Sequence, residues 1–220
     1  MGIGLAVHFR QFISFAVLIC AGFAAMGAPA ASESEPLQRK TILVVGDSLS
    51  AEYGLARGTG WVRLLADRVA SKAPQYSVAN ASISGDTTSN GRTRLGPLLR
   101  EHHPAIVVIE LGANDGLRGL SVDAMRTNLQ AMIDECHAAK ARVLLVGNHL
   151  PPNYGAAFDA RFFGVYNELA QRNHVGLAPF LLDGFGDQLD LFQADHIHPI
   201  ARAEPRMLEN VWPYLAPMLT

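Results

Sequence analysis

The chain has 220 residues, 49% of them apolar and 17% charged, and a formal net charge of -2. That is the balance of a globular protein with enough apolar material for one sizeable core. The near-neutral charge and the lack of any Lys/Arg run give no electrostatic reason for a nucleic-acid partner.

The first thirty residues differ from the rest. His8 and Arg10 precede an apolar run from Phe12 to Met26, followed by the small residues Ala28-Pro29-Ala30-Ala31 and the polar stretch Ser32 to Glu35. This order predicts a signal peptide over 1-30, cleaved at an A-x-A site, and a periplasmic or secreted product. The run is shorter than the roughly 20 residues of a spanning helix, so no membrane span is expected after cleavage. Cys20 lies inside it behind Ile19, a poor setting for lipid attachment. Cys136 is then the single cysteine left, and no intramolecular disulfide is expected. Residues 31-40 read as a short polar lead-in and 41-220 as one catalytic domain.

From Thr41 onward short β-branched runs alternate with segments of helical period, which predicts a parallel sheet covered by helices on both faces. The first strand is expected over Ile42 to Val45. Directly after it stands Gly46-Asp47-Ser48-Leu49-Ser50, where a serine at a strand end could present its hydroxyl in a cleft at the start of a helix. The residues alone equally suit a helix cap at Asp47 or Ser48. Trp61, Leu64, Leu65 and Val69 follow at helical spacing.

The second strand, Tyr76 to Ala79, leads into Asn80-Ala81-Ser82-Ile83-Ser84-Gly85-Asp86-Thr87. The third, Ile106 to Leu111, leads into Gly112-Ala113-Asn114-Asp115-Gly116. Each block ends a strand with a group that can aim a hydrogen-bond donor at developing negative charge: the Gly85 N-H and the Asn114 amide. Leu129, Met132, Ile133 and Cys136 then share a helical face, which makes Cys136 a buried apolar residue.

The fourth strand, Val143 to Val146, precedes Leu150-Pro151-Pro152-Asn153-Tyr154-Gly155 and a helical pattern of Phe162, Val165, Tyr166 and Leu169; a weak fifth strand is read over Val175 to Ala178. Five strands suit a three-layer α/β/α domain, whose ligands bind beyond the carboxyl ends of the strands. Near the C-terminus stands Asp195-His196-Ile197-His198-Pro199. An activated serine needs a base, and the base needs an acceptor to fix its tautomer, so Asp and His three residues apart can supply both. The same residues also suit a metal site through His196, His198 and Asp195.

In this order G-D-S-L-S, N-A-S-I-S-G-D-T, G-A-N-D-G and D-x-x-H-P resemble the four sequence blocks of the SGNH, or GDSL, hydrolase superfamily. The resemblance runs from about Thr41 to the C-terminal helix. Leu117-Arg118-Gly119 and the Leu150 to Gly155 stretch are similar to the bacterial periplasmic thioesterase, lysophospholipase and arylesterase branch. It implies a flavodoxin-like α/β/α sandwich with a five-stranded parallel sheet, hydrolysing acyl esters or thioesters through an acyl-serine intermediate. Ser48 would be the nucleophile, His198 the base and Asp195 its orienting partner. The backbone N-H of Ser48, the N-H of Gly85 and the amide of Asn114 would form the oxyanion hole, and Asp47 would hold the loop. No G-x-S-x-G elbow surrounds Ser48, which separates the chain from the α/β-hydrolases.

His196 stands where that branch usually has a small residue, typically Gly. Leu117, Leu120, Leu150 and Pro151, on loops beyond strand ends, are the expected lining of an apolar acyl groove. The expected substrate is a small acyl ester or thioester, with no cofactor and no metal. A carbohydrate O-acetyl esterase on the same fold, a zinc-dependent hydrolase and a non-catalytic ligand-binding module are the competing readings.

Overall fold

The computed structural model describes residues 39–220. The expected signal peptide, and the lead-in as far as residue 38, lie outside the described residues. Five strands, β1 (Lys40–Gly46), β2 (Tyr76–Asn80), β3 (Ile106–Glu110), β4 (Arg142–Val146) and β5 (Gly176–Ala178), form one sheet in the order β2-β1-β3-β4-β5. All four pairings are parallel. Six α-helices connect or follow them: α1 (Trp61–Lys72), α2 (Thr88–His102), α3 (Ala113–Leu117), α4 (Val122–Ala138), α5 (Ala156–Asn173) and α6 (Glu204–Leu215). This is the three-layer arrangement expected from the alternating pattern.

The sheet is buried on both faces, which explains why its strands read as unbroken apolar runs. Ile42, Val44, Ile106, Val108, Leu144 and Val146 point into one core with α1 and α6. Leu43, Val45, Val107, Ile109, Val143 and Leu145 point into the other, against α2, α4 and α5. Two-residue periodicity in the strands thus feeds two separate cores. On the helices, Trp61, Leu65 and Val69 of α1 and Phe162, Val165, Tyr166 and Leu169 of α5 are fully buried. So is Cys136 of α4, where burial pushes the thiol up to about 12. Each such apolar side chain contributes about 1.5–3 kcal/mol relative to exposure.

Strand order sets where chemistry can occur. From β1 the chain crosses to β2 on one side and from β2 returns to β3 on the other, so β1 and β3 flank the point where the winding reverses. A crevice opens there beyond their carboxyl ends. Ser48 follows β1 by two residues and Asn114 follows β3 by four.

One local expectation is corrected. Ser48 does not begin a helix: residues 48–54 form consecutive turns, and the next helix starts at Trp61. Two glycines, Gly54 and Gly58, have positive φ in this stretch, and the Glu52 carboxylate folds it back by accepting from the Gly58 and Gly60 N-H groups. These interactions keep the chain in tight turns, so the capping reading of Asp47 and Ser48 has no helix to cap.

Candidate active site

Ser48 is half-buried on the first of these turns. Asp47 beneath it is 1% exposed, and its Oδ1 accepts from the Leu49 N-H at 3.1 Å, closing an Asx turn that fixes the serine. Asn80 reaches across from the end of β2 and donates to the Ser50 carbonyl at 2.8 Å. Arg94 of α2 binds the two strand-end loops together: it pairs with Asp86 at 2.6 Å and donates to the carbonyls of Ala81 and Gly46.

The Asp195–His198 segment is the tip of a loop whose legs meet in an antiparallel bridge between Phe192 and Pro199. Within it Gln193 N-H donates to the His198 carbonyl at 2.7 Å. Asp195 Oδ1 accepts from the backbone N-H groups of Ile197 and His198, each at 3.0 Å, while its Oδ2 lies 2.7 Å from His198 Nδ1. Partial burial pushes the Asp195 carboxyl up, but the His198 and Ile197 N-H groups and the His198 ring outweigh it and hold the group at about 2. Asp195 is therefore ionised throughout the ordinary pH range.

The other ring nitrogen, His198 Nε2, lies 2.8 Å from Ser48 Oγ across 150 residues of sequence. The Tyr53 ring packs against the imidazole with centroids 4.4 Å apart. Gln193 Nε2 donates to the carbonyls of Tyr53 and Pro199, tying the serine-bearing turns to the histidine loop. Tyr53 and Gln193 carried no sequence signal beyond lying near the two blocks.

Asn114 stands on the first turn of α3. Its amide donates to Asp47 Oδ2 at 3.0 Å and to the Asp86 carbonyl at 3.1 Å. Next to it, Asp115 accepts from the Thr88 hydroxyl at 2.6 Å and the Thr88 N-H at 2.8 Å, locking α3 to the start of α2. Gly85 adopts φ +84, a left-handed conformation that glycine takes without penalty. Among the described residues the N-H groups of Ser48 and Gly85 have no protein acceptor. Ser48, Gly85, Asn114 and His198 line one cavity of about 310 Å³, together with Tyr53, Leu117 and Ile197.

A larger cavity of about 810 Å³ shares Leu49, Ala113, Leu117 and Ile197 with this site. Leu150 and Pro151 line it with Phe180, Leu182, Phe185 and Phe192. Leu120 does not reach either cavity. It is 45% exposed, because Gly119 turns the chain outward at φ +64. Leu150 has a double character: it is 7% exposed and belongs to the core formed by α2, α4 and α5.

His196 is exposed and sits at φ +56, a left-handed conformation that glycine adopts at least cost. Its side chain lines the larger cavity, not the Ser48 cavity. Among the described residues no three His, Cys, Asp or Glu side chains are grouped as metal ligands.

Comparison with known proteins bears on the same residues. A model of the GDSL-like lipase/acylhydrolase family matches residues 44–203. The chain is 51% identical over 180 residues to Esterase TesA of Pseudomonas aeruginosa, covering 82% of this chain and 90% of that one. It is 36% identical over 211 residues to Thioesterase 1/protease 1/lysophospholipase L1 of Escherichia coli K12, covering 96% and 95%. Among solved structures, a crystal structure of TesA superposes with a TM-score of 0.80 at 50% identity, covering 82% of this chain and all of the other.

Proposed function

The chain belongs to the GDSL-like lipase/acylhydrolase family and is an ester hydrolase, and on that premise we propose that it acts through an acyl-Ser48 intermediate. The observation that carries this reading is the unbroken line Ser48 Oγ, His198 Nε2, His198 Nδ1, Asp195 Oδ2, with contacts of 2.8 and 2.7 Å.

In the proposed reaction Asp195 accepts a hydrogen bond from Nδ1-H, which leaves the Nε2 lone pair facing Ser48. His198 takes the Ser48 proton as the serine oxygen attacks the acyl carbon, and Asp195 steadies the imidazolium. The acyl oxygen becomes an oxyanion facing the Ser48 and Gly85 N-H groups and the Asn114 amide. The Ser48 and Gly85 N-H groups, free among the described residues, are held in place before the reaction, so they need no reorganisation as charge develops. The Asn114 amide, whose two N-H bonds go to Asp47 and the Asp86 carbonyl, exchanges one of them for the oxyanion. His198 then protonates the leaving alcohol or thiol. Water, activated by the same imidazole, releases the acid and restores Ser48. No step of this sequence calls for a metal or an organic cofactor.

The acyl chain is placed in the larger cavity, against Leu117, Leu150 and Pro151, with the leaving group toward solvent. Each fully buried methylene contributes about 0.8 kcal/mol, so medium-length chains should be favoured over acetyl. The thioesterase relative supports thioesters as a second substrate class. The sequence pattern of residues 1–30 supports export to the periplasm or beyond, and no helix among the described residues is long and apolar enough to cross a membrane. The test is turnover of acyl esters and acyl thioesters graded from acetyl to dodecanoyl, with Ser48→Ala run in parallel. A preference for acetyl esters of carbohydrates would favour the deacetylase reading.

A further inference from the structure

Glu110 ends β3 in the middle of the sheet, and its side chain is wholly buried. Two segments contact it, the turn after β1 and the loop after β4. Its Oε2 lies 2.8 Å from Ser50 Oγ and accepts from the Asp47 N-H at 3.4 Å, while Oε1 accepts from the Asn148 amide, just beyond β4, at 3.4 Å. The fit leaves no slack: a Cβ added at Gly46 would lie 2.7 Å from Ser50 Oγ and 2.8 Å from Glu110 Oε2.

No cation answers this carboxyl. Among the described residues it forms no ion pair, and the nearby guanidinium of Arg94 is engaged by Asp86 and by the carbonyls of Ala81 and Gly46. The titratable groups that face it are Asp47 on the Ser48 turn and Tyr166 from α5, whose hydroxyl donates to the Leu111 carbonyl at 2.9 Å. An unpaired buried charge is costly, and two adjacent buried carboxyls do not both ionise readily.

We propose that Glu110 is a positioning residue that works as a neutral carboxylic acid, its hydroxyl donating to Ser50 Oγ across their 2.8 Å contact. It ties the Ser48 turn to the ends of β3 and β4, and its lack of charge lets Asp47 ionise and hold the Asn114 amide. Burial pushes Glu110 well above the ordinary carboxylate range, and the Asp47 charge adds to this. Asp47 is raised to only about 6, because the Leu49 N-H, the Asn114 amide and the His198 charge offset its burial. The pair therefore divides its roles at neutral pH: Asp47 carries the charge and Glu110 carries the proton. The inference rests on the assignment of Ser48 as nucleophile and Asn114 as oxyanion donor.

The experiment compares wild type, Glu110→Gln, Glu110→Met and Ser48→Ala, with kcat and KM for a butyryl ester measured between pH 6 and 9 and thermal melts recorded at both limits. Gln is neutral at every pH and keeps both a donor and an acceptor. Its kcat should stay within about threefold of wild type. Met keeps the volume and removes the hydrogen bonds, so kcat should fall about 10²-fold while KM holds, the cost of a misplaced catalytic group.

The melts add a sign. Wild type loses stability as pH rises past the range where the unfolded carboxyl ionises, because the folded one retains its proton; Gln has no such loss and should melt higher at pH 9. If the Gln variant is as impaired as the Met variant, the ionised carboxylate is what matters and the proposal is overturned; wild-type kcat in the Met variant overturns it equally. Should Glu110→Met fail to fold, Glu110→Gln decides alone. Retained turnover in Ser48→Ala would instead remove the assignment on which the inference rests.

Discussion

Asn114 gives its side-chain amide to the Asp47 carboxylate at 3.0 Å, so the proposed oxyanion donor is oriented by the residue that precedes the proposed nucleophile. Asn114→Ala should lower kcat by roughly 10² to 10³ with little change in KM, since the amide bonds the oxyanion more strongly than the ground-state carbonyl. Asp47→Ala should move the same parameter in the same direction, because it frees the amide and opens the Asx turn at Ser48. A change confined to KM in either variant would make Asn114 a ground-state binding residue.

The three leucines of the expected acyl groove should separate on substitution. Leu117→Ser should flatten the chain-length profile of kcat/KM while sparing acetyl esters. Leu120→Ser should leave the profile intact, since that side chain is exposed and touches neither cavity. Leu150→Ala should act mainly on the fold, costing about 2–5 kcal/mol as a core truncation. Chemical denaturation measured beside the kinetics distinguishes the three; a flattened profile in Leu120→Ser would show that its loop closes over substrate.

His196→Gly should yield an active enzyme that is somewhat more stable. A left-handed conformation costs an L-residue roughly 1–2 kcal/mol, only part of which is returned by glycine's greater unfolded-chain entropy. Loss of acetyl-ester turnover in this variant, with His198→Gly retaining it, would exchange the roles of the two histidines.

Glu204 accepts from the Trp61 N-H at 2.7 Å at the start of α1, in a buried site. Burial, with a smaller contribution from the Glu52 charge, raises its carboxyl to about 7 against the pull of that N-H. A raised carboxyl favours the folded state fully below the unfolded value near 4.5, and that contribution is lost as pH climbs toward 7. Glu204→Gln keeps the acceptor and removes the ionisation. Its melting temperature relative to wild type should therefore rise by several degrees between pH 4.5 and pH 8; a difference that does not depend on pH would contradict the titration.

The strands and the four blocks were legible because parallel strands buried on both faces must be apolar throughout, and because turns at their ends need glycine and small polar residues. The runs expected at Ile42 to Val45 and Val143 to Val146 lie inside β1 and β4. Glu110 interrupts the apolar run Ile106 to Leu111, and a carboxyl in a doubly buried strand is itself a signal that partners wait nearby. The exposure of Leu120 is not legible, because sequence shows only that a residue follows a strand and not which way the loop then faces beyond Gly119 at φ +64. The bond between Gln193 and the Tyr53 carbonyl spans 140 residues and belongs to no motif, so only the folded chain displays it.

The assignment of Ser48 as nucleophile is tested by reacting the intact enzyme with a fluorophosphonate and mapping the adduct by peptide mass spectrometry. An activated serine attacks phosphorus as it attacks an acyl carbon. One adduct is expected, on Ser48, formed with parallel loss of esterase activity and absent from Ser48→Ala, whose kcat should fall at least about 10⁴-fold. An adduct on another residue, or full esterase activity in Ser48→Ala, would contradict the assignment.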